Sequence, residues 1–415
     1  MASLRRFTIF TLISVSNKYR RGLPMNDMQF LIVKFRRALL NCLIRFFQIF
    51  PIEQHKIFFV SYYGRGFGDN GKAIILSLKE KGKIYRFYWA VKKGEEDNFP
   101  DFVKPVRYLS ISYFYHLATS KIWVDNARKN IYVAKRKQQY YIQTWHGDPM
   151  LKKIEKDAED ALGPDYVKLA KHDSTMTDLV IANSDFGVKL FTNRFWYTGE
   201  VWKAGSPRLD MLKKEDPLLT KSIYRKLQIS ENKKILLYAP TFRDDHNISC
   251  YSLDYPLLRS TLENQWGGGW VILVRLHPNI GKKEVETVKI TYCDWLIDAS
   301  SYDDMYELLR VSTMLITDYS STMFEAASIQ LPVFLYAADR ASYINDRGFY
   351  FEYEKLPFPQ AETMDELVEV IEAFNFSFYQ KCVMDFCRQL GILEPGGAAS
   401  RIASRIIEIM EKCNF

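Results

Sequence analysis

The sequence predicts an α/β protein built from two doubly wound parallel sheets, each flanked by helices. Short apolar strands alternate with helical stretches, and this alternation stops in a polar, proline-containing stretch at 205–234 before it restarts. The chain has 415 residues, which is more than one hydrophobic core usually serves. The predicted organisation is an N-terminal segment at 1–50, domains at 51–215 and 216–395, and a C-terminal helix at 396–415.

Composition indicates a globular protein with a modest excess of positive charge. Hydrophobic residues make up 47% of the chain and charged residues 26%. The net charge of +8 is compatible with anionic lipids, nucleotides or polyanionic substrates. Because no zinc-finger spacing, RNA-binding aromatic motif or recognition helix occurs, no nucleic-acid partner is expected. The six cysteines form no C-x-x-C pair, which is typical of reduced thiols in the cytoplasm.

Residues 28–50 are long enough to span a bilayer but contain four basic side chains. At about 100° per residue, polar and apolar side chains fall on opposite arcs, with only Arg36 misplaced. The polar arc holds Lys34, Arg37, Asn41, Arg45 and Gln48; the apolar arc holds Leu31, Ile32, Phe35, Leu39, Leu43, Phe46, Phe47 and Phe50. This pattern predicts a basic amphipathic helix in the membrane interface, and an ordinary helix packed on the protein is the alternative.

In the first domain, short apolar runs bounded by turn residues predict the strands, and longer periodic stretches predict the helices. The strands are expected at 56–64, 85–91, 121–127, 139–147 and 178–184, and the helices at 70–82 and 112–120. The helix at 70–82 ends at Gly82, a typical helix terminator.

The second domain repeats the pattern. Its strands are expected at 234–241, 269–278, 314–321 and 331–338, and its helices at 303–312, 321–330 and 398–413. Ligands of open α/β sheets bind beyond the carboxyl ends of the strands. Residues that directly follow strands are therefore the candidates for function.

The glycine-rich stretch at 64–73 contains G-x-x-x-x-G-K from Gly66 to Lys72. Ala73 stands where a nucleotide-binding P-loop needs a Ser or Thr hydroxyl for magnesium, so we do not expect a P-loop. A glycine turn near a substrate is the preferred interpretation, and a purely structural turn is the alternative.

His146 ends a predicted strand, and Gly147 beside it leaves room for a ligand to approach the backbone. A solvent-reachable histidine with a near-neutral pKa can act as a general base, whereas a structural histidine is the alternative. Lys152 and Lys153 downstream favour an anionic ligand.

Two further segments follow strands in the second domain. Arg275 and His277 lie two residues apart, so an extended chain points both to one face, where they can donate to phosphate oxygens. At 316–327 a strand ends at Asp318, and hydroxyl residues open a helix that suits a diphosphate, or is a plain helix cap. The residues of this second segment are Ser320, Ser321, Thr322 and Glu325, the last two at capping-box spacing.

Charged residues also follow the strand at 234–241 and lie in the domain junction. Arg243 offers a planar donor for phosphate, and Asp245 can orient hydroxyls or a cation; a surface turn is the alternative. Arg208 and Asp210 are candidates for the cleft, or for bracing the junction. No Cys and His residues have metal-ligand spacing, and no G-x-S-x-G elbow occurs.

Together these motifs resemble the CDP-glycerol glycerophosphotransferase family, which makes teichoic acids and related phosphopolyol capsule polymers in bacteria. The matching segments are 145–153, 205–210, 237–245, 275–278, 316–353 and 396–407. The resemblance implies a GT-B architecture with the active site between two Rossmann-like domains, and a donor bound chiefly by the second. The sequence departs from the family's usual pattern at Asp148 and Met150.

The resemblance implies transfer of a polyol phosphate from CDP-glycerol or CDP-ribitol, with release of CMP; glycerol phosphate is the preferred group. The implied acceptor is a hydroxyl of a lipid-linked saccharide or of a polyol-phosphate chain. The resemblance also implies catalytic roles for His146 and His277 and phosphate binding by Ser320 and Ser321. Donor binding is also expected from Arg243, Arg275, Asp318, Thr322 and Glu325, and acceptor or cleft contacts from Gly147, Asp148, Lys152, Arg208, Asp210 and Asp245. No obligate cofactor or metal is expected, with stimulation by Mg²⁺ left open.

The expected location is the cytoplasmic face of the bacterial membrane, at an anionic lipid surface. Two alternatives stay open at this point. One is a GT-B glycosyltransferase that uses a nucleotide sugar and releases a nucleoside diphosphate. The other is a membrane-attached binding module with a degenerate cleft.

Overall fold

A computed structural model of the protein describes residues 27–96, 99–243, 251, 253–276, 290–341, 343, 348–392 and 396–412. The described chain forms two lobes, each centred on a parallel sheet. The predicted fold class, two doubly wound α/β units that face each other, is therefore confirmed. Residues 1–26 of the predicted N-terminal segment lie outside the described part of the chain.

The first lobe contains a seven-stranded sheet in the order β3-β2-β1-β4-β5-β6-β7. Its strands are β1 (Glu53–Val60), β2 (Arg86–Val91), β3 (Val103–Arg107), β4 (Ser120–Asp125), β5 (Tyr140–Gln143), β6 (Leu179–Ala182) and β7 (Glu200–Lys203). Its helices are α1 (Asp27–Phe47), α2 (Asp69–Glu80), α3 (Ile111–Thr119), α4 (Pro164–Met176) and α5 (Asp185–Arg194), with a 3-10 turn at Glu155–Ala161.

The second lobe contains a six-stranded sheet in the order β10-β9-β8-β11-β12-β13. Its strands are β8 (Lys234–Tyr238), β9 (Trp270–Val274), β10 (Leu296–Asp298), β11 (Met314–Thr317), β12 (Val333–Tyr336) and β13 (Gln360–Ala361). The helices from the junction onwards are α6 (Pro207–Lys213), α7 (Pro217–Leu227), α8 (Tyr255–Trp266), α9 (Met305–Val311), α10 (Thr322–Ser328), α11 (Met364–Glu372), α12 (Phe376–Leu390) and α13 (Ala398–Lys412), with a 3-10 turn at Tyr353–Lys355.

Both sheets reverse their strand order next to the first strand of the lobe, between β1 and β4 and between β8 and β11. Such switch points leave a crevice at the carboxyl ends of the strands, because the connections on either side diverge there. The central strands are apolar on both faces, as parallel sheets covered by helices require. On β1, for example, Phe58 and Phe59 are both fully buried, in cores on opposite sides of the sheet.

The junction between the lobes is helical, where the sequence had indicated only a polar connection. Pro207 and Pro217 occupy first-turn positions of α6 and α7, where proline's missing N–H costs no hydrogen bond. Helix α6 contacts α2 of the first lobe and α9 of the second. It is therefore part of the interface between the lobes.

The final helix, α13, returns to the first lobe. Ile402, Ile406 and Met410 are buried in the core that covers one face of the first sheet. At its start, the carboxylate of Asp210 accepts the backbone N–H of Ala399 at 2.7 Å. The chain thus passes to the second lobe through α6, and α13 lies again on the first lobe.

Helix α1 packs on the protein along part of its length and leaves another part of its apolar face exposed. Its C-terminal half packs on α3 through Leu40, Leu43, Ile44 and Phe47. An apolar stripe along the rest of the helix and just beyond it remains exposed, formed by Met28, Leu31, Phe35, Leu39, Phe46 and Ile49. Within the described residues, no helix combines the length and apolarity needed to cross a bilayer.

The strand prediction from the sequence omitted the edge strands and made some central strands too long. Strands β3, β7, β10 and β13 lie towards the edges of their sheets and are short or only partly buried, so they lack a continuous apolar run. Strand β5 ends at Gln143, not at Gly147 as predicted. Trp145 adopts a φ of 52°, which is incompatible with an extended chain.

Truncating Ile406 of α13 to alanine should lower the free energy of unfolding by about 2–5 kcal/mol, because the site is fully buried. Urea unfolding followed by circular dichroism measures this. The matched control is Glu408→Ala on the exposed side of the same helix, expected to change stability by less than about 0.5 kcal/mol. Equal effects of the two substitutions would contradict the packing of α13 on the first lobe.

Candidate active site

A cavity of about 640 Å³ lies between the lobes, at the carboxyl ends of both sheets. The first lobe contributes the loop after β1, including Tyr62, Arg65 and Asp69, together with Lys92, Glu95 and His146. The second lobe contributes Pro240 and Thr241 after β8, Arg275 after β9, residues 300–306, Ser320, Ser321, Thr322 and Glu325. Both switch points therefore open into one space.

His146 is held by a hydrogen bond between its Nδ1 and the carbonyl oxygen of Asn126, 2.7 Å long. Since a carbonyl can only accept, Nδ1 carries the proton in the neutral ring and Nε2 carries the lone pair. Burial lowers the pKa of His146, which keeps the ring neutral near pH 7. The rings of Tyr62 and Trp145 lie 5.7 and 4.2 Å from the imidazole. His146 is thus a neutral proton acceptor on the cavity wall.

Opposite His146, the second lobe presents hydroxyl groups and a guanidinium. Ser320, Ser321 and Thr322 line the cavity, and the hydroxyls of Ser320 and Thr322 are 3.0 Å apart. Arg275 also lines it, and its guanidinium donates to the carbonyl of Tyr302. Burial lowers the pKa of Arg275, although Asp303 and Asp304 oppose that effect. These groups can donate hydrogen bonds to an anion.

The predicted capping box of Thr322 and Glu325 is wrong. Helix α10 begins at Thr322, so Ser321 occupies the N-cap position, and its side chain makes no cap hydrogen bond. Glu325 instead accepts from the guanidinium of Arg208 and from the hydroxyl of Tyr306, the latter at 2.8 Å. Its carboxylate therefore has two partners within the protein, and its role in donor binding stays a prediction.

Arg208 bridges the two lobes. Its guanidinium donates to Asp69 of the first lobe at 3.0 Å and to Glu325 of the second, and only 2% of the residue is exposed. The two carboxylates raise its pKa well above the usual range, even though burial opposes its charge. Of the two roles predicted for Arg208, the structure supports bracing of the junction.

Arg243 and Asp318, which were predicted to bind the donor, pair with each other beside the cavity, and their donor-binding role stays a prediction. Arg243 is 3% exposed and pairs with Asp318 at 2.8 Å and with both carboxylate oxygens of Asp339. Asp318 accepts from the backbone N–H and hydroxyl of Thr241, both at 2.9 Å. The two residues hold Thr241, which itself lines the cavity.

Gly147 and Asp148, which directly follow His146, affect the shape of the cleft without lining the main cavity. Asp148 accepts from the backbone N–H groups of Asn183 and Ser184 and from the Ser184 hydroxyl, at the start of α5. Burial raises the pKa of Asp148 to about 6. A Cβ on Gly147 would lie 3.3 Å from the Ser321 hydroxyl. The missing side chain thus allows close approach of the other lobe, where we had predicted room for a ligand.

Lys152 and Asp210 do not line the cavity. Lys152 lies 4.9 Å from the ring centroid of Tyr343, and its backbone forms a bridge with Phe349 of the second lobe. Asp210 accepts the backbone N–H of Ala399 at the start of α13, which agrees with its predicted alternative role of bracing the junction. His277 and Asp245, the other predicted site residues, lie outside the described residues.

The glycine-rich stretch lines the cavity but is not a nucleotide P-loop. Lys72 pairs with Asp304 at 2.8 Å and with Glu307 at 2.9 Å, both on the second lobe. A P-loop lysine would need to reach phosphates. The preferred interpretation, a glycine turn near a substrate site, agrees with the lining of the cavity by Gly66 and Gly68.

Sequence reasoning missed Tyr62, Asp69 and Asn126. Asn126 positions His146 through its carbonyl and accepts from the backbone N–H of Tyr62 at 2.8 Å. All three follow β1 or β4, the strands at the switch point of the first sheet, which was the available signal. Among the residues that the structure describes, no three His, Cys, Asp or Glu side chains gather as a metal site would require.

Comparison with known proteins places these features in a family. A family model described as CDP-Glycerol:Poly(glycerophosphate) glycerophosphotransferase matches residues 42–408. The chain is 29% identical to the teichoic acid poly(glycerol phosphate) polymerase of Bacillus spizizenii, over 91% of this chain and 99% of that protein. It is 32% identical to the teichoic acid glycerol-phosphate transferase of Staphylococcus aureus, over 86% and 94% of the two chains.

A solved structure gives the same relationship. A variant of the wall teichoic acid polymerase TagF, soaked with CDPG, superposes with a TM-score of 0.78. The two chains are 26% identical, and the match covers 92% of this chain and 99% of the other. The arrangement of two facing sheets is therefore shared across nearly the whole of both chains.

Replacing Arg208 with methionine should lower the free energy of unfolding by about 3–5 kcal/mol, because two buried carboxylates lose their counter-charge. Thermal or urea unfolding measures this. Lys214→Met is the control: it breaks the exposed pair between Lys214 and Glu80 near the same junction, and should cost less than about 1 kcal/mol. A loss no larger than that of the control would refute the bridging role.

Proposed function

Because the chain belongs to the CDP-glycerol:poly(glycerophosphate) glycerophosphotransferase family, we propose that it transfers a polyol phosphate from a CDP-polyol to an acceptor hydroxyl. Glycerol phosphate is the preferred group. The reaction releases CMP and extends or starts a teichoic acid or capsule polymer. The observation that carries the proposal is the cavity itself. It places the neutral imidazole of His146 across from the hydroxyls of Ser320 and Ser321 and the guanidinium of Arg275.

His146 acts as the general base. The Asn126 carbonyl fixes the proton on Nδ1, so Nε2 is free to take the proton of the acceptor hydroxyl. The acceptor oxygen attacks the phosphorus that bears the polyol. A new O–P bond forms as the bond from that phosphorus to the bridging oxygen breaks, and CMP leaves with the bridging oxygen.

The second lobe stabilises the diphosphate. Phosphoryl transfer depends mainly on positioning and on neutralising charge. Arg275 supplies a positive charge, and Ser320, Ser321 and Thr322 supply hydroxyl donors on the same wall. Donors aimed at developing charge in a partly buried cavity typically contribute a few kcal/mol each, about 3 for a single donor. Arg243, which is paired with Asp318 and Asp339, supports this wall from behind.

The exposed stripe of α1 suits a lipid surface. Phe35 is 74% exposed and Leu39 is 58% exposed, and the basic side chains of Lys34 and Arg45 are exposed on the same helix. Apolar side chains can enter the acyl boundary while basic ones meet anionic headgroups. We propose that α1 holds the enzyme on the cytoplasmic face of the membrane, close to a lipid-linked acceptor.

Replacing His146 with alanine should reduce CMP release from CDP-glycerol at least about 100-fold, because the general base is lost. CDP-glycerol binding, measured by calorimetry, should change little. His172→Ala serves as the control, since His172 bonds to the Val133 carbonyl away from the cavity. Release of CDP in place of CMP from a CDP-linked donor would contradict the proposed chemistry, and full activity of His146→Ala would remove its base role.

The double variant Phe35→Glu with Leu39→Glu should lose most of its binding to vesicles that contain anionic phosphatidylglycerol, because two charges would enter the apolar interface. Vesicle co-sedimentation measures this. Leu218→Glu, at a site that is 82% exposed in the second lobe, is the control and should bind as the wild type does. Undiminished binding of the double variant would argue against α1 as the membrane contact.

A further inference from the structure

We propose that Asp69, Arg208 and Glu325 form a positioning cluster that stabilises the protonated form of His146 during transfer, and that this cluster is complete only when the two lobes are docked. The inference rests on the proposed role of His146 as base. It concerns what becomes of the positive charge that His146 acquires when it takes the acceptor's proton.

The cluster is buried and carries unbalanced charge. Asp69, Arg208 and Glu325 are 4%, 2% and 6% exposed. Burial raises the pKa of Glu325, whereas Arg208 and the Tyr306 hydroxyl favour its ionised form; with both carboxylates ionised around one guanidinium, the cluster has a net charge of −1. Burial opposes ionisation of Asp69, but Arg208 and hydrogen bonds to its carboxylate outweigh burial and lower its pKa. Tyr306 donates to Glu325 at 2.8 Å and satisfies its second oxygen.

Two short paths connect the cluster to His146. The Tyr62 hydroxyl donates to Asp69 at 2.9 Å, and the Tyr62 ring lies 5.7 Å from the imidazole. Asn70 accepts from the backbone N–H of Arg208 at 3.2 Å and donates to the Trp145 carbonyl, directly before His146, also at 3.2 Å. A net negative charge in this dry setting favours a nearby cation much more than it would in water.

The charged groups around His146 have opposing effects. Burial lowers its pKa, and Arg208 and Arg128 lower it further, whereas Asp69 raises it. Arg128 is neutralised by Glu155 at 2.9 Å and Asp173 at 3.1 Å within the first lobe. Arg208 differs, because one of its two carboxylate partners belongs to the other lobe.

This difference links the base to docking of the lobes. Asp69 lies in the first lobe, Arg208 in the junction and Glu325 in the second lobe. Without Glu325, the pair of Asp69 and Arg208 is neutral, and His146 faces no net negative charge from it. When the lobes dock, Glu325 neutralises Arg208 and leaves Asp69 available to the imidazolium. His146 is thus a stronger base in the closed enzyme.

The test compares Asp69→Asn, Glu325→Gln and Glu307→Gln. The last is a matched control, because Glu307 also joins the lobes, pairing with Lys72 at 2.9 Å and accepting from Tyr302 at 2.8 Å, but it does not line the cavity. In the first two variants the acidic limb of the pH profile of kcat should move to lower pH by about one unit, since the imidazolium loses support. Plateau kcat should fall about tenfold, with KM for CDP-glycerol little changed.

A second measurement does not depend on turnover. NMR titration of histidine-labelled, ligand-free enzyme should show the same downward shift of the His146 pKa in Asp69→Asn and Glu325→Gln, and none in Glu307→Gln. Glu325→Asp keeps the charge and should restore the wild-type limb. If Asp69→Asn fails to fold, the Glu325 variants carry the test.

The outcomes separate this inference from the proposed function. The inference is overturned if Glu325→Gln changes neither the acidic limb of the kcat profile nor the His146 pKa measured by NMR. An equal shift of these quantities in Glu307→Gln would also overturn it. Full activity of His146→Ala, or no CMP release by the wild type, would instead defeat the base role or the transferase proposal. The titration still tests the cluster in that case.

Discussion

The interface between the lobes depends on one buried guanidinium. Arg208 sits where the chain leaves the first lobe, and it satisfies a carboxylate from each side. Loss of Arg208 would leave two buried carboxylates without a counter-charge, and an uncompensated buried charge costs several kcal/mol. The relative position of the two sheets, and hence the width of the cavity, is therefore set by electrostatics as well as by apolar packing.

Each sheet contributes a different kind of chemistry to this space. The first lobe supplies a proton acceptor whose tautomer is fixed by a backbone carbonyl, and the second supplies hydroxyls and a cation. Doubly wound sheets bring such groups to their switch points because the strands there have no covering connection. Placing two switch points face to face brings groups from both lobes to the walls of one cavity.

The fold was predictable because central strands such as β9 and β11 are continuous apolar runs, and α13 has strong helical periodicity. Edge strands such as β7 were missed because partial burial leaves no such run. In the site, the sequence predicted candidate residues that directly follow strands, but it did not predict the residues that form hydrogen bonds and ion pairs with them. The ion pair of Arg243 was not predicted because its carboxylate partner, Asp339, lies 96 residues away along the chain. Pairing over such distances leaves no local pattern.

The segment that follows His146 crosses to the other lobe and pairs with it through backbone hydrogen bonds. Tyr350 donates to the Leu151 carbonyl at 2.8 Å, and Lys153 donates to the Gly348 carbonyl at 3.1 Å. This strap lies only a few residues from the imidazole. The backbone bonds tie the stretch that carries His146 to the second lobe, so the spacing between the imidazole and the opposite wall of the cavity is held by the main chain as well as by side chains.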